Sequence, residues 1–241
     1  MPVGIIINVC MVLAGGVIGA VAGDRLSEEF KESLNCVFGA CAMTMGIYSI
    51  VLMVNMPAVI LSVILGTTLG MVIRLGKGIY AAGEGMQKLM GKIFKSEADA
   101  GPEYSNIMVT AIVLFCFSGT GIYGSIVSGM TGDHSILIAK SVLDLFTAVI
   151  FACTLGMTTC IIAVPQIIIF LALFFLAGVI YPICTPDMIN DFKACGGVLL
   201  LATGFRMLRL KNFPVADMIP SMILVMPVSF IWSTYILPLL S

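Results

Sequence analysis

Ser135-Ile-Leu-Ile-Ala-Lys140-Ser-Val-Leu-Asp144-Leu-Phe-Thr-Ala-Val-Ile-Phe-Ala152 is an apolar run broken by two charges. It approaches the roughly 20 residues that a helix needs to cross the hydrocarbon layer. On a helix, a spacing of four puts Lys140 and Asp144 on one face. A charge near the bilayer centre costs roughly 2.5–3.5 kcal/mol on insertion scales, so it normally faces a protein interior or a wet cavity. The run therefore predicts a transmembrane helix with one polar face turned inward.

The rest of the chain has the same character. Of its 241 residues, 60% are hydrophobic and 10% charged, against about 45–50% and about 25% in soluble domains. This predicts a single transmembrane domain over 1–241. A net charge of −1 offers no basic footprint for nucleic acid. One histidine, His134, is too few for a histidine metal centre, and nothing calls for a cofactor. The eight cysteines form no CxxC pair and read as small buried hydrophobes. Cys184 and Cys195 flank one loop and could pair in an oxidising compartment. Ala20-Val-Ala22 mimics a cleavage site, but no basic region precedes it, so the first apolar segment is expected to be retained.

Eight segments approximate a span: 3–23, 34–54, 56–75, 105–129, 134–159, 163–184, 194–210 and 214–237. The fold class is thus an all-α polytopic membrane helix bundle of about eight transmembrane helices. If the loop after the third span is cytoplasmic, ten of the twelve Lys and Arg fall inside; Lys193 falls outside and Lys140 lies within the membrane. The positive-inside rule then places both termini outside. In 77–95, Ile79, Met86, Leu89, Met90, Ile93 and Phe94 share one helical face, and the charges lie mostly on the other. This predicts an amphipathic helix on the inner leaflet, or a solvated linker helix. Residues 76–104 hold this helix and a flexible loop, Ser96 to Pro102.

Residues 16–31 and 178–193 align without a gap. Gly16-Val-Ile18 matches Gly178-Val-Ile180, Phe30-Lys31 matches Phe192-Lys193, and Glu29 faces Asp191. After a four-residue deletion, Met45-Gly46-Ile47 lies over Thr203-Gly204-Phe205, and Asn55-Met-Pro57 over Asn212-Phe-Pro214. Spans 1–3 (1–75) would repeat as spans 6–8 (161–241), around a central helix pair (105–160). An odd number of spans separates the copies, so they would insert with opposite orientation, as in many secondary transporters. Apolar composition alone also produces such matches.

Several residues are candidates for a substrate or ion site. Ser118-Gly119-Thr120-Gly121 should weaken the fourth span, freeing carbonyls beside two hydroxyls; close packing of small residues is the alternative. Gly204 suggests a similar break in the seventh span. Lys140 would attract an anionic group, and Asp144 would bind a cation or carry a proton. A mutual salt bridge also accounts for the pair. Asp217 is a second carboxylate near the start of the eighth span, and Asn8 is a weaker polar candidate in the first. Asp133 should cap the fifth helix, with His134 exposed beside it. Gly15, Gly19 and Gly23, and Gly66 and Gly70, permit close helix crossings within the chain or at a homo-oligomer seam.

Ala111-Ile-Val-Leu-Phe-Cys116, Ser118-Gly-Thr-Gly-Ile122, Gly129-Met-Thr-Gly-Asp133 and Ser135-Ile-Leu-Ile-Ala-Lys-Ser141 resemble the YqgA/YdfK family of bacterial inner-membrane proteins. So do Asp144, Phe146-Thr-Ala148, Ile150-Phe-Ala-Cys153, Leu199-Leu-Leu-Ala-Thr-Gly204 and Phe213-Pro-Val215. The resemblance covers nearly the whole chain. It implies a bacterial inner membrane and assigns no chemistry.

These features predict a secondary transporter of a small polar or anionic solute, coupled to a proton or sodium. An ion or small-solute channel would use the same lining, and a non-transporting scaffold or regulatory subunit would need none of it. An enzyme is not expected: no HExxH, GxSxG or Cys/His dyad is present.

Overall fold

Inside a bilayer every backbone N–H and C=O must find a partner within the protein, which helices provide locally. The computed structural model describes residues 1–22, 27–94 and 101–240, and these are helical with short connections and no strand. In order the helices are α1 (Val3–Ala22), α2 (Glu28–Ile50), α3 (Met56–Val72), α4 (Leu75–Phe94), α5 (Gly101–Cys116), α6 (Gly119–Thr131), α7 (Ser135–Leu155), α8 (Thr158–Ile161), α9 (Ala163–Ile180), α10 (Pro186–Met207), α11 (Pro220–Ile231) and α12 (Leu237–Leu240). A 3-10 turn (Val215–Met218) precedes α11 and a π-helical turn (Trp232–Ile236) follows it. Gly23, Arg25, Lys95 and residues 96–100 of the expected loop lie outside the described residues; Gly101 and Pro102 begin α5.

Six of the described helical stretches are long and apolar enough to cross a membrane, or seven if α3 and α4 form one broken span. The expected eight differ at α3, which has only 17 residues, and at α10, which carries Asp187, Asp191, Lys193 and Arg206. α10 begins at Pro186 rather than near 194. Thr185 caps it, accepting from the Met188 amide at 3.3 Å, and Pro186 occupies the first turn, where a missing N–H costs nothing.

The chain forms two compact units, one of residues 1–34 and 77–178, the other of 35–76 and 179–241. The boundaries cut across the expected repeat, so each unit contains helices from both halves. In the first unit α1 runs parallel to α7. A side chain at Gly15 or Gly19 would strike the Leu145 or Val149 carbonyl and the Ala148 or Ala152 methyl. Gly129 of α6 packs as closely on Phe174 and Ala177 of α9. Gly83 and Ile79 of α4 are buried, Gly83 against Val109 and Val113 of α5, so part of the amphipathic helix docks on protein.

In the second unit α2 crosses α10 antiparallel, backbone on backbone. A Cβ built on Gly46 would lie 2.7 Å from the Gly197 oxygen, and one on Gly197 would lie 2.6 Å from the Gly46 oxygen. The contacts are reciprocal: Gly39 meets Gly204 and Leu208, and Gly197 meets Gly46 and Ile50. Likewise Gly204 meets Met43, and Gly46 meets Leu201. Gly204 therefore lies within an unbroken helix, and the expected break is a crossing point instead. Gly66 and Gly70 of α3 pack on Ser221 and Asp217, so these glycine faces are used within the chain.

Several polar side chains are buried among the apolar core, and many large apolar ones are exposed. Asn8, Ser62, Gln166, Asp191, Ser221 and Ser229 are fully buried, whereas Ile64, Ile168, Phe175 and Ile223 are exposed. All eight cysteines are free. Cys195 is buried with its thiol on Ser221 Oγ, and Cys184 bonds the Ile180 carbonyl, so the two do not pair. Cys10, Cys36 and Cys41 are exposed rather than buried.

Candidate functional site

α7 presents Lys140 and Asp144 to the interior of the first unit, with 3% and 6% of their surfaces exposed. Lys140 Nζ donates to Asp144 Oδ2 as an i,i+4 ion pair. The same oxygen accepts from Asn8 Nδ2 of α1 at 2.8 Å. Asn8 Oδ1 in turn accepts from Gln166 Nε2 of α9 at 2.8 Å. Three helices thus meet in one buried polar chain, which makes the first-span asparagine a central member.

Two aromatic rings enclose the ammonium group. Phe115 and Phe170 lie with their ring centroids 6.0 and 5.9 Å from Lys140 Nζ, within cation–π range. Phe115 lies next to the end of a helix: α5 stops at Cys116 and α6 starts at Gly119, so the break falls at residues 117–118, just before the glycines, which form the first turn of α6. Gln166 Nε2 also reaches the Phe115 carbonyl, at 3.4 Å. Ser118 caps α6, accepting from the Gly121 amide at 3.2 Å. Its hydroxyl is thereby engaged in holding the break. Thr120 is buried, and Gly121 lies against the Phe170 ring, one wall of the cluster.

The other candidates lie apart from this chain of bonds. Asp217 belongs to the second unit, in the 3-10 turn before α11, where its Oδ1 accepts from the Gly76 amide at 2.7 Å. Asp133 accepts from the Ser135 amide at 3.0 Å, at the first residue of α7. His134 is half-buried, not exposed, with Nδ1 2.7 Å from Ser128 Oγ.

Two residues were not predicted as site members. Gln166 is the one glutamine in an apolar span, a signal available in the sequence. Asp191 was expected in a loop. It is fully buried on α10, accepting from the Val54 and Asn55 amides and Asn55 Nδ2 at 2.9 Å each, and from Ser229 Oγ at 2.6 Å. With four donors it is a satisfied staple joining α10, the start of α3 and α11.

Apolar helices closed around buried charges define a polytopic α-helical membrane protein. Residues 3–230 match the family described as "Protein of unknown function (DUF554)", and the chain belongs to that family. It is 45% identical to "Uncharacterized protein YqgA" of Escherichia coli (strain K12), over 98% of this chain and 99% of that one. It is 28% identical to "Uncharacterized membrane protein YdfK" of Bacillus subtilis (strain 168), over 95% and 96% of the two chains. No solved structure matches.

Proposed function

We propose that this protein is a secondary transporter of a small polar or anionic solute, coupled to a proton or sodium, in a bacterial inner membrane. The observation that carries the proposal is the buried Lys140–Asp144–Asn8–Gln166 chain beside a helix break. Ionisable groups at membrane depth are costly, and they mark solute and ion pathways. Broken helices near midspan are where such sites are built.

The reciprocal crossing of α2 and α10 supports an inverted repeat. The alignment equates Gly46 with Gly204, and the same offset equates Gly39 with Gly197, Met43 with Leu201 and Ile50 with Leu208. Each crossing contact then has a partner contact with the two copies exchanged, as around a two-fold axis. In the first unit, Gly15 packs on α7 and the aligned Ala177 packs on α6.

In this reading Lys140 binds the anionic group and Asp144 the coupling ion. Asp217, held by Gly76 in the other unit, has no part in it. The test is gradient-driven flux in proteoliposomes, screened over small solutes. Lys140→Ala and Asp144→Asn should each lose it, and retained flux in both would remove these residues from the mechanism. Currents of single-channel size would assign a channel instead.

A further inference from the structure

The cluster contains one atom that no bond explains. Gln166 is fully buried, and its Oε1 accepts no hydrogen bond from any described residue. Turning the amide over does not help. Nε2 donates to two carbonyl oxygens, Asn8 Oδ1 and Phe115 O, and a turned amide would set oxygen against oxygen. Asn8 is fixed in the same way, because its Nδ2 donates to the Asp144 carboxylate. The donors therefore run in one direction, from Gln166 through Asn8 to Asp144. The series starts at a bare carbonyl oxygen, and buried acceptors of this kind are rare and costly.

We propose that Gln166 Oε1, Asn8 Oδ1 and the Asp144 carboxylate seat a monovalent cation such as sodium. The cation enters together with an anionic solute, and the two split the Lys140–Asp144 pair between them. This rests on the transport reading above. Amide, carboxylate and unwound-helix oxygens suit a sodium ion, and Phe115 O at the helix break is a further oxygen of the set.

Charge dictates the coupling. Lys140 and Asp144 neutralise each other. A cation alone would add positive charge beside Lys140, and an anion alone would add negative charge beside Asp144. Either leaves a buried charge uncompensated, which is strongly unfavourable. Together they replace one ion pair by two, and the net charge of the cluster is unchanged. The faces of Phe115 and Phe170 give the ammonium a second partner as it leaves the carboxylate. By linkage, each ligand tightens binding of the other by the same factor.

The test is binding of radiolabelled sodium to the purified protein, with gluconate as the only added anion and no other solute. Wild type should show no saturable binding. Lys140→Met and Lys140→Gln remove the internal cation and leave Asp144 to be neutralised from outside. Either variant, once monodisperse by size exclusion, should bind sodium saturably, on the order of a hundredfold or more above the limit set by wild type. Adding Gln166→Leu should abolish the gain. Saturable binding by wild type, a folded Lys140 variant with no gain, or a gain indifferent to Gln166→Leu would each overturn the proposal. Sodium binding by the variants alongside a wild type that moves no solute would support the cation seat and sink the transport reading alone.

Discussion

Lys140 is held by a single carboxylate and two rings, and that carboxylate is held by Lys140 and Asn8. Removing one charge leaves the other stranded. Asp144→Asn should therefore destabilise the protein by about 3–5 kcal/mol, whereas Lys140→Met with Asp144→Leu, which removes both charges, should cost far less. Thermal unfolding in detergent, analysed as a double-mutant cycle, measures the difference. The double variant should fold and carry no flux; a double variant with wild-type flux would reduce the pair to packing. Lys140 and Asp144 were legible in the sequence because a charge in an apolar run is conspicuous. Gln166 carried a fainter signal, because a neutral amide disturbs the pattern less than a charge. Asp217 lies near the start of the last candidate span, as expected, but residues 215–218 form a 3-10 turn there and the carboxylate accepts from Gly76, a partner remote in sequence.

At the scale of the element, the glycines do two different jobs that composition does not separate. Gly119 and Gly121 follow Ser118, whose side chain caps a new helix, so the break there is written locally. Gly204 follows Thr203, whose hydroxyl bonds back to the Leu199 carbonyl within the same helix, so α10 continues through it. The start of α10 was also local, in Thr185-Pro186-Asp187, but the charges behind it masked the signal. The crossing of α2 and α10 depends on contacts across about two-thirds of the chain, which no local pattern reveals. It makes a paired prediction. Gly46→Ala and Gly204→Ala each force a methyl against backbone 2.7 Å away and should cost about 1–3 kcal/mol. The same change at Gly78 or Gly85 of α4, where nothing lies within 4 Å, should stabilise by up to about 1 kcal/mol through helix propensity. Melting temperatures of the four variants would show whether the sign follows the contact.

At the scale of the molecule, composition sufficed for the class. α1 and α7 run parallel, whereas α2 with α10 and α3 with α11 run antiparallel. Those directions within each unit are compatible with the proposed threading of eight alternating spans, which would place both termini outside. Alkaline phosphatase fused to either terminus should accordingly be active outside the cell; an active reporter inserted between residues 96 and 100 would reverse the assignment. The division into two units was not legible, because each is assembled from separated stretches of chain. That interleaving constrains how the protein is made. α3 is synthesised long before α10, and the Val54 and Asn55 amides just ahead of it wait for Asp191, which lies 136 residues beyond Asn55. A ribosome that has completed α3 has thus delivered to the bilayer a helix whose Asp191 contact does not yet exist. The second unit closes only near the end of translation, so a chain truncated before α10 keeps that end of α3 without its carboxylate.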